Sequence, residues 1–212
     1  MDMQLLSEAV QSGDAQGVSE MVKEALDAGV GPEDVLNNGL LAGMNVIGGK
    51  FKANEVFIPE VLIAARAMNA GMEVLEPALV GCCAKPVGKA VIGTVKGDLH
   101  DIGKNLVQIM LKGAGIEVID IGIDVPAEKF IEQAEAAGAD IICMSALLTT
   151  TMPQMEVVIK ELQARGLRDK YVVMIGGAPV SESFGKQIGA DYYTADAASA
   201  AETARDVLQA KA

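Results

Sequence analysis

The 212-residue chain contains a single histidine, His100, within the segment Gly97-Asp98-Leu99-His100-Asp101-Ile102-Gly103-Lys104-Asn105. Imidazole is a strong transition-metal ligand, and Asp98, two residues upstream, could hold the proton on its second nitrogen and so fix tautomer and basicity. One histidine cannot furnish a four-ligand protein site, so a metal bound here must arrive with most of its coordination filled, as in a macrocycle. The alternative is a histidine in a βα turn, with Asp98 as the helix N-cap and no ligand. Two further segments bear on the choice: Ser145-Ala146-Leu147 and Gly176-Gly177.

The elements that would position these residues follow from pattern. Half of the chain is apolar, enough for buried cores, with no Trp. Up to about residue 76 the periodicity is helical only. Leu5, Leu6, Ala9 and Val10 mark one helix, and Val18, Met21, Val22, Ala25 and Leu26 a second ending near Gly29. Pro32 opens a third and Pro59 a fourth, which predicts a four-helix bundle over 1–76. Pro77, Pro86 and two glycines predict a linker over 77–88.

From 89 to 212 short apolar runs at 90–95, 117–121, 141–145, 171–175 and 191–193 alternate with amphipathic stretches. Five strands alternating with five helices predict a doubly wound, parallel, flavodoxin-like (Rossmann-like) α/β sheet. Ligands of such sheets bind beyond the carboxyl ends of the strands. The three segments 98–103, 145–151 and 176–179 all fall there.

Composition narrows the function classes. With 17 Lys and Arg against 29 Asp and Glu, the net charge of -12 disfavours nucleic acid. No apolar run reaches membrane-spanning length and the start lacks the basic residues of a signal peptide, which predicts a cytoplasmic protein. Cys82, Cys83 and Cys143 lack zinc or redox spacing and read as small apolar residues. No dinucleotide-binding or phosphate-binding glycine loop follows the first strand.

The pattern D-x-H-x-x-G, S-x-L and G-G over residues 98–177 resembles that of cobalamin-binding domains, and the whole chain resembles the small corrinoid proteins of methyl-transfer systems. It is similar also to the paired cap and cobalamin domains of cobalamin-dependent methionine synthase. The resemblance implies a corrinoid held base-off, His-on, with His100 as lower ligand to cobalt and Asp98 as its hydrogen-bond partner. Asp101 and Gly103 belong to the same cofactor-binding segment. The relay would continue to Thr151, a hydroxyl six positions after Ser145. Ser145 and Leu147 would line the slot for the displaced nucleotide tail, with Thr149 nearby, and Gly103, Gly176 and Gly177 would allow that tail close to backbone. A plain turn is the alternative for the glycine pair.

Phe51, Phe57, Ile58 and Val61 would form an apolar lid over the upper face, with bundle core as the alternative role. The implied partners are a donor methyltransferase for a methylamine, methanol, betaine or methoxyarene, and an acceptor methyltransferase serving tetrahydrofolate or a thiol coenzyme. A reductive activation protein would complete the system. A radical-mutase subunit and a cobalamin-based sensor are the competing classes.

Overall fold

A computed structural model of the chain describes residues 2–82 and 86–211. The helical part contains α1 (Met3–Ser12) and α2 (Ala15–Asp27), capped by the side chains of Asp2 and Asp14. It continues through α3 (Pro32–Asp34), a π-helical stretch Val35–Leu41, α4 (Ala42–Lys52) and α5 (Ile58–Cys82). Pro32 occupies the first helical position, as predicted.

The π-helical stretch was not predicted. Its i→i+5 bonding has a simple counterpart in the sequence, since buried Val35 and Leu40 lie five residues apart and an α-turn would swing them to different faces. Gly39 and Gly43 let this region lie against α1: a Cβ on Gly39 would meet the Leu6 side chain at 2.4 Å, and one on Gly43 the Ser7 carbonyl at 2.7 Å.

The start of the predicted linker is corrected. Pro77 lies inside α5, whose backbone stays helical to Cys82. A proline removes one helical hydrogen bond and can kink a helix without ending it when the residues on both sides are good helix formers. Cys83 and the Cys82 side chain lie outside the described residues, whereas Cys143 is a buried free thiol that burial pushes up to about 12.

From Pro86 the chain forms a second compact unit. Its elements are β1 (Lys89–Thr94), α6 (Ile102–Gly113), β2 (Glu117–Asp120), α7 (Ala127–Ala137), β3 (Ile141–Ser145), α8 (Pro153–Ala164), β4 (Val172–Gly176), α9 (Glu182–Ile188), β5 (Tyr192–Tyr193) and α10 (Ala197–Lys211). All strand pairs are parallel, in the order β2-β1-β3-β4-β5, which is the flavodoxin-like order. Strand bounds fall within about a residue or two of those predicted.

One sheet face carries Val91, Ile142, Met144, Val173 and Ile175 into a core with Phe130 and Ile131 of α7 and Met155, Ile159 and Leu162 of α8. The alternate residues Ala90, Ile92, Ile141, Cys143 and Met174 are buried as well, so both faces are covered, as a parallel sheet requires. Each such aliphatic side chain contributes roughly 1.5–3 kcal/mol of burial. The rigid sheet leaves its loops to carry polar chemistry. The order reverses between β1 and β3, so the loops after those two strands open apart at the switch point.

Candidate functional site

Asp98 is the hub of that switch point. It follows β1, is fully buried, and is enclosed by donors. Its Oδ1 accepts from the His100 backbone N–H (3.1 Å) and lies 2.8 Å from His100 Nδ1. Its Oδ2 accepts from the Leu147 N–H (2.7 Å), the Leu148 N–H (3.3 Å) and the Thr151 hydroxyl (2.8 Å). Burial alone would raise its pKa, but the bonds from Leu147, His100 and Thr151 outweigh it and hold the carboxyl well below the usual carboxylate range.

An ionised carboxylate only accepts, so His100 Nδ1 must carry a proton, and in the neutral ring the lone pair is on Nε2. The histidine side chain is 51% exposed beside a wholly buried carboxylate. An anchored ring with an exposed outer nitrogen can act as a monodentate metal ligand. The alternative of Asp98 as the N-cap of α6 is corrected: the helix begins at Ile102, and the Asp101 carbonyl accepts the 2.7 Å bond from Asn105 N–H that starts it.

The structure brings Asp98, His100 and Thr151 into one chain of contacts, with Leu147 joined through its backbone. Thr151 is buried, and its hydroxyl also lies 2.9 Å from the Leu148 carbonyl. Ser145 ends β3 beside Gly176 of β4 and Thr94 of β1. Thr149, Asp101 and Gly103 are exposed on the same edge. Around a Gly103 Cβ there is open space, so nothing within the chain calls for glycine there.

Gly176 and Gly177 differ from Gly103. A Cβ on Gly177, at φ 132°, would meet the Ala146 carbonyl oxygen at 1.9 Å, and one on Gly176 the Thr194 carbonyl oxygen at 3.3 Å. The crossing of the loops after β3 and β4 is sufficient reason for Gly177, whereas Gly176 has only a tight approach from the residue after β5.

In the helical unit Phe57 and Ile58 are exposed and Phe51 is half-buried, whereas Val61 has no exposed surface and is a core residue. Leu62 and Ile63, not singled out by the sequence, are exposed beside them.

Sequence reasoning singled out Leu147 but missed the rest of an apolar surround. Leu99 (68% exposed), Ile102 (75%), Ile123, Leu147 and Leu148 stand open on the loops after β1, β2 and β3. Large aliphatic side chains gathered at one ligand-binding edge mark a surface that covers something apolar. The only sequence signal was their position at strand ends. Among the described residues no cluster of three or more His, Cys, Asp or Glu could hold a metal ion.

Exposed apolar side chains and one imidazole on the same loop edge suit a flat macrocycle carrying its own metal. Comparison with known proteins agrees. A B12 binding domain model matches residues 88–204 and a second B12 binding domain model matches residues 3–76. The chain belongs to the B12-binding corrinoid proteins. It is 43% identical over 210 residues to dimethylamine corrinoid protein 1 of Methanosarcina mazei, covering 99% of this chain and 97% of that one. A corrinoid protein of Desulfitobacterium hafniense is 42% identical, covering 96% and 95%.

Among solved structures, a chain of the methanol:cobalamin methyltransferase complex of Methanosarcina barkeri aligns with TM-score 0.88 and 31% identity. That alignment covers 96% of this chain and 78% of that one. A cobalamin-binding protein of Desulfitobacterium hafniense aligns with TM-score 0.80 and 31% identity, covering 97% and 98%. The radical-mutase alternative finds no support in these comparisons.

Proposed function

We propose that the chain is the corrinoid carrier of a methyl-transfer system, holding its cofactor base-off with His100 as the lower cobalt ligand. When bound, the corrinoid supplies a cobalt centre that takes up a methyl group and gives it away. The observation that carries the reading is the buried, multiply bonded Asp98 joined to the exposed ring of the only histidine.

The residues do the rest. Asp98 keeps the proton on Nδ1 and so presents Nε2 outward as the ligand atom. Thr151, on the far oxygen of Asp98, adjusts how strongly that carboxylate pulls on the ring. Leu99, Ile102, Ile123 and Leu148, exposed here, would shield the ligand nitrogen from competing water once a bound corrinoid covers them. Gly103 leaves room for an incoming group against the first turn of α6. Ser145, Leu147 and Thr149 line the nucleotide slot, and Phe51, Phe57 and Ile58 contribute the lid.

Partner methyltransferases for donor and acceptor complete the system in the cytoplasm, a reading supported by the methyltransferase complex among the similar structures. A reductive activation protein serves the cobalt. The dimethylamine proteins among its relatives make a methylated amine the first donor to test.

Because His100 is the only histidine, labelling gives an unambiguous test. Protein containing [15N]histidine and loaded with cob(II)alamin should show electron paramagnetic resonance lines split as doublets, against triplets in unlabelled protein. His100→Ala should lose the protein-derived splitting. Triplets that ignore the label would overturn the assignment.

A further inference from the structure

We propose that Asp124, which lies 24 residues after His100, is a positioning residue for it and acts through the backbone on both sides of Asp98. The inference rests on the reading of His100 as the ligand. The Asp124 N–H donates to the Asp98 carbonyl (3.0 Å), and its Oδ1 accepts from the Gly97 N–H (2.7 Å). These two bonds bracket the residue whose carboxylate holds Nδ1.

Asp124 has φ 52°, and only one other non-glycine among the described residues, Asn54, has positive φ. That conformation is what lets its N–H and its carboxylate reach neighbouring groups of the other loop together. A turn alone would be served by glycine or asparagine. The carboxylate bonds across to another loop, not to its own, so it does more than shape the turn.

The turn that carries Asp124 is fixed at its base. Asp120, at the end of β2, accepts from the Gly122 N–H (2.9 Å) and pairs with Lys104, which is buried four residues beyond His100. The far side is tied to β1 through Thr94, whose N–H donates to the Gly122 carbonyl and whose hydroxyl donates to the His100 carbonyl (2.8 Å). Asp124 is thus a hook on a rigid mount. Asp98 is steered by it from outside the motif that defines the site.

The test uses the full-length protein and needs no cofactor for its first readout. Two-bond 1H–15N spectra of [15N]histidine-labelled apoprotein report the His100 tautomer directly. Wild type should show only the Nδ1–H form. Asp124→Gly keeps the positive φ but removes the carboxylate, and should admit the Nε2–H form. Asp124→Asn keeps both the conformation and an acceptor oxygen, and should restore the single tautomer. Loaded with cob(II)alamin, Asp124→Gly should show a reduced fraction of histidine-split resonance lines.

A purely structural role would lower the melting temperature of the Gly variant without moving its tautomer, and that result overturns the proposal. Mixed tautomers in wild type would instead count against the Asp98–His100 relay itself. The two failures are therefore distinct.

Discussion

At the scale of the residue, Asp98 is where sequence and chemistry meet most directly. The short spacing Asp98-Leu99-His100 was enough to predict the ring contact, because a bond two residues away is local. The Thr151 contact on the other oxygen was legible only through the resemblance, and the Leu147 N–H bond there not at all, since those partners lie about fifty residues on and no local rule brings them near. Asp124 gave no signal at all: a lone aspartate in a turn reads as turn chemistry. Asp98→Asn places an amide NH2 or a weaker acceptor against several donors, and should cost about 2 kcal/mol at neutral pH. Its folded pKa lies below the ordinary 3.8, so its contribution is fully present above that value and is lost as pH falls below it. The melting-temperature gap between wild type and Asp98→Asn should therefore be level from about pH 5 to 8 and shrink below about pH 4. A gap that widens on acidification would contradict the hydrogen-bonded, ionised carboxylate.

At the scale of the element, the alternation of apolar runs with amphipathic stretches located all five strands. Both faces of a parallel sheet are buried, so its strands are short and unmistakably apolar. What pattern could not give was where a helix tolerates a breaker. Pro77 looked like a stop and is an interior residue of α5. Nor could it separate glycines required by the fold from glycines with open space around them. The structure does, and gives opposite expectations for two of them. Gly103→Ala, in the first turn of α6 with open space around it, should stabilise the apoprotein by about 0.5–1 kcal/mol while weakening corrinoid uptake. Gly177→Ala would drive a methyl group into the Ala146 carbonyl at an unfavourable φ, and should destabilise the apoprotein itself. Chemical denaturation and cobalamin titration of the pair would check both, and equal stability losses would remove the distinction.

At the scale of the whole molecule, the division of labour between the two units can be tested by separating them. Every residue of the Asp98 relay, the Asp124 turn and the apolar surround comes from the chain beyond Pro86, which has its own sheet core. The sequence predicted this division from the change of rhythm, though it also assigned Val61 to the lid, where burial makes it a core residue of the helical unit. Apolar type alone cannot tell a residue facing a core from one facing a ligand. The exposed Phe57, Ile58, Leu62 and Ile63 are the better candidates for a covering surface. A fragment beginning at Pro86 should fold, keep the single His100 tautomer and bind cob(II)alamin through His100, because a domain with its own core can stand alone. What it should lack is protection: fragment loaded with methylcobalamin should lose its methyl group to light, and the reduced cofactor should be oxidised by air, several-fold faster than in the full chain. Visible absorption under controlled light and oxygen follows both. Equal rates would mean that the exposed aliphatic side chains of the helical unit serve partner docking and do not shield the cofactor.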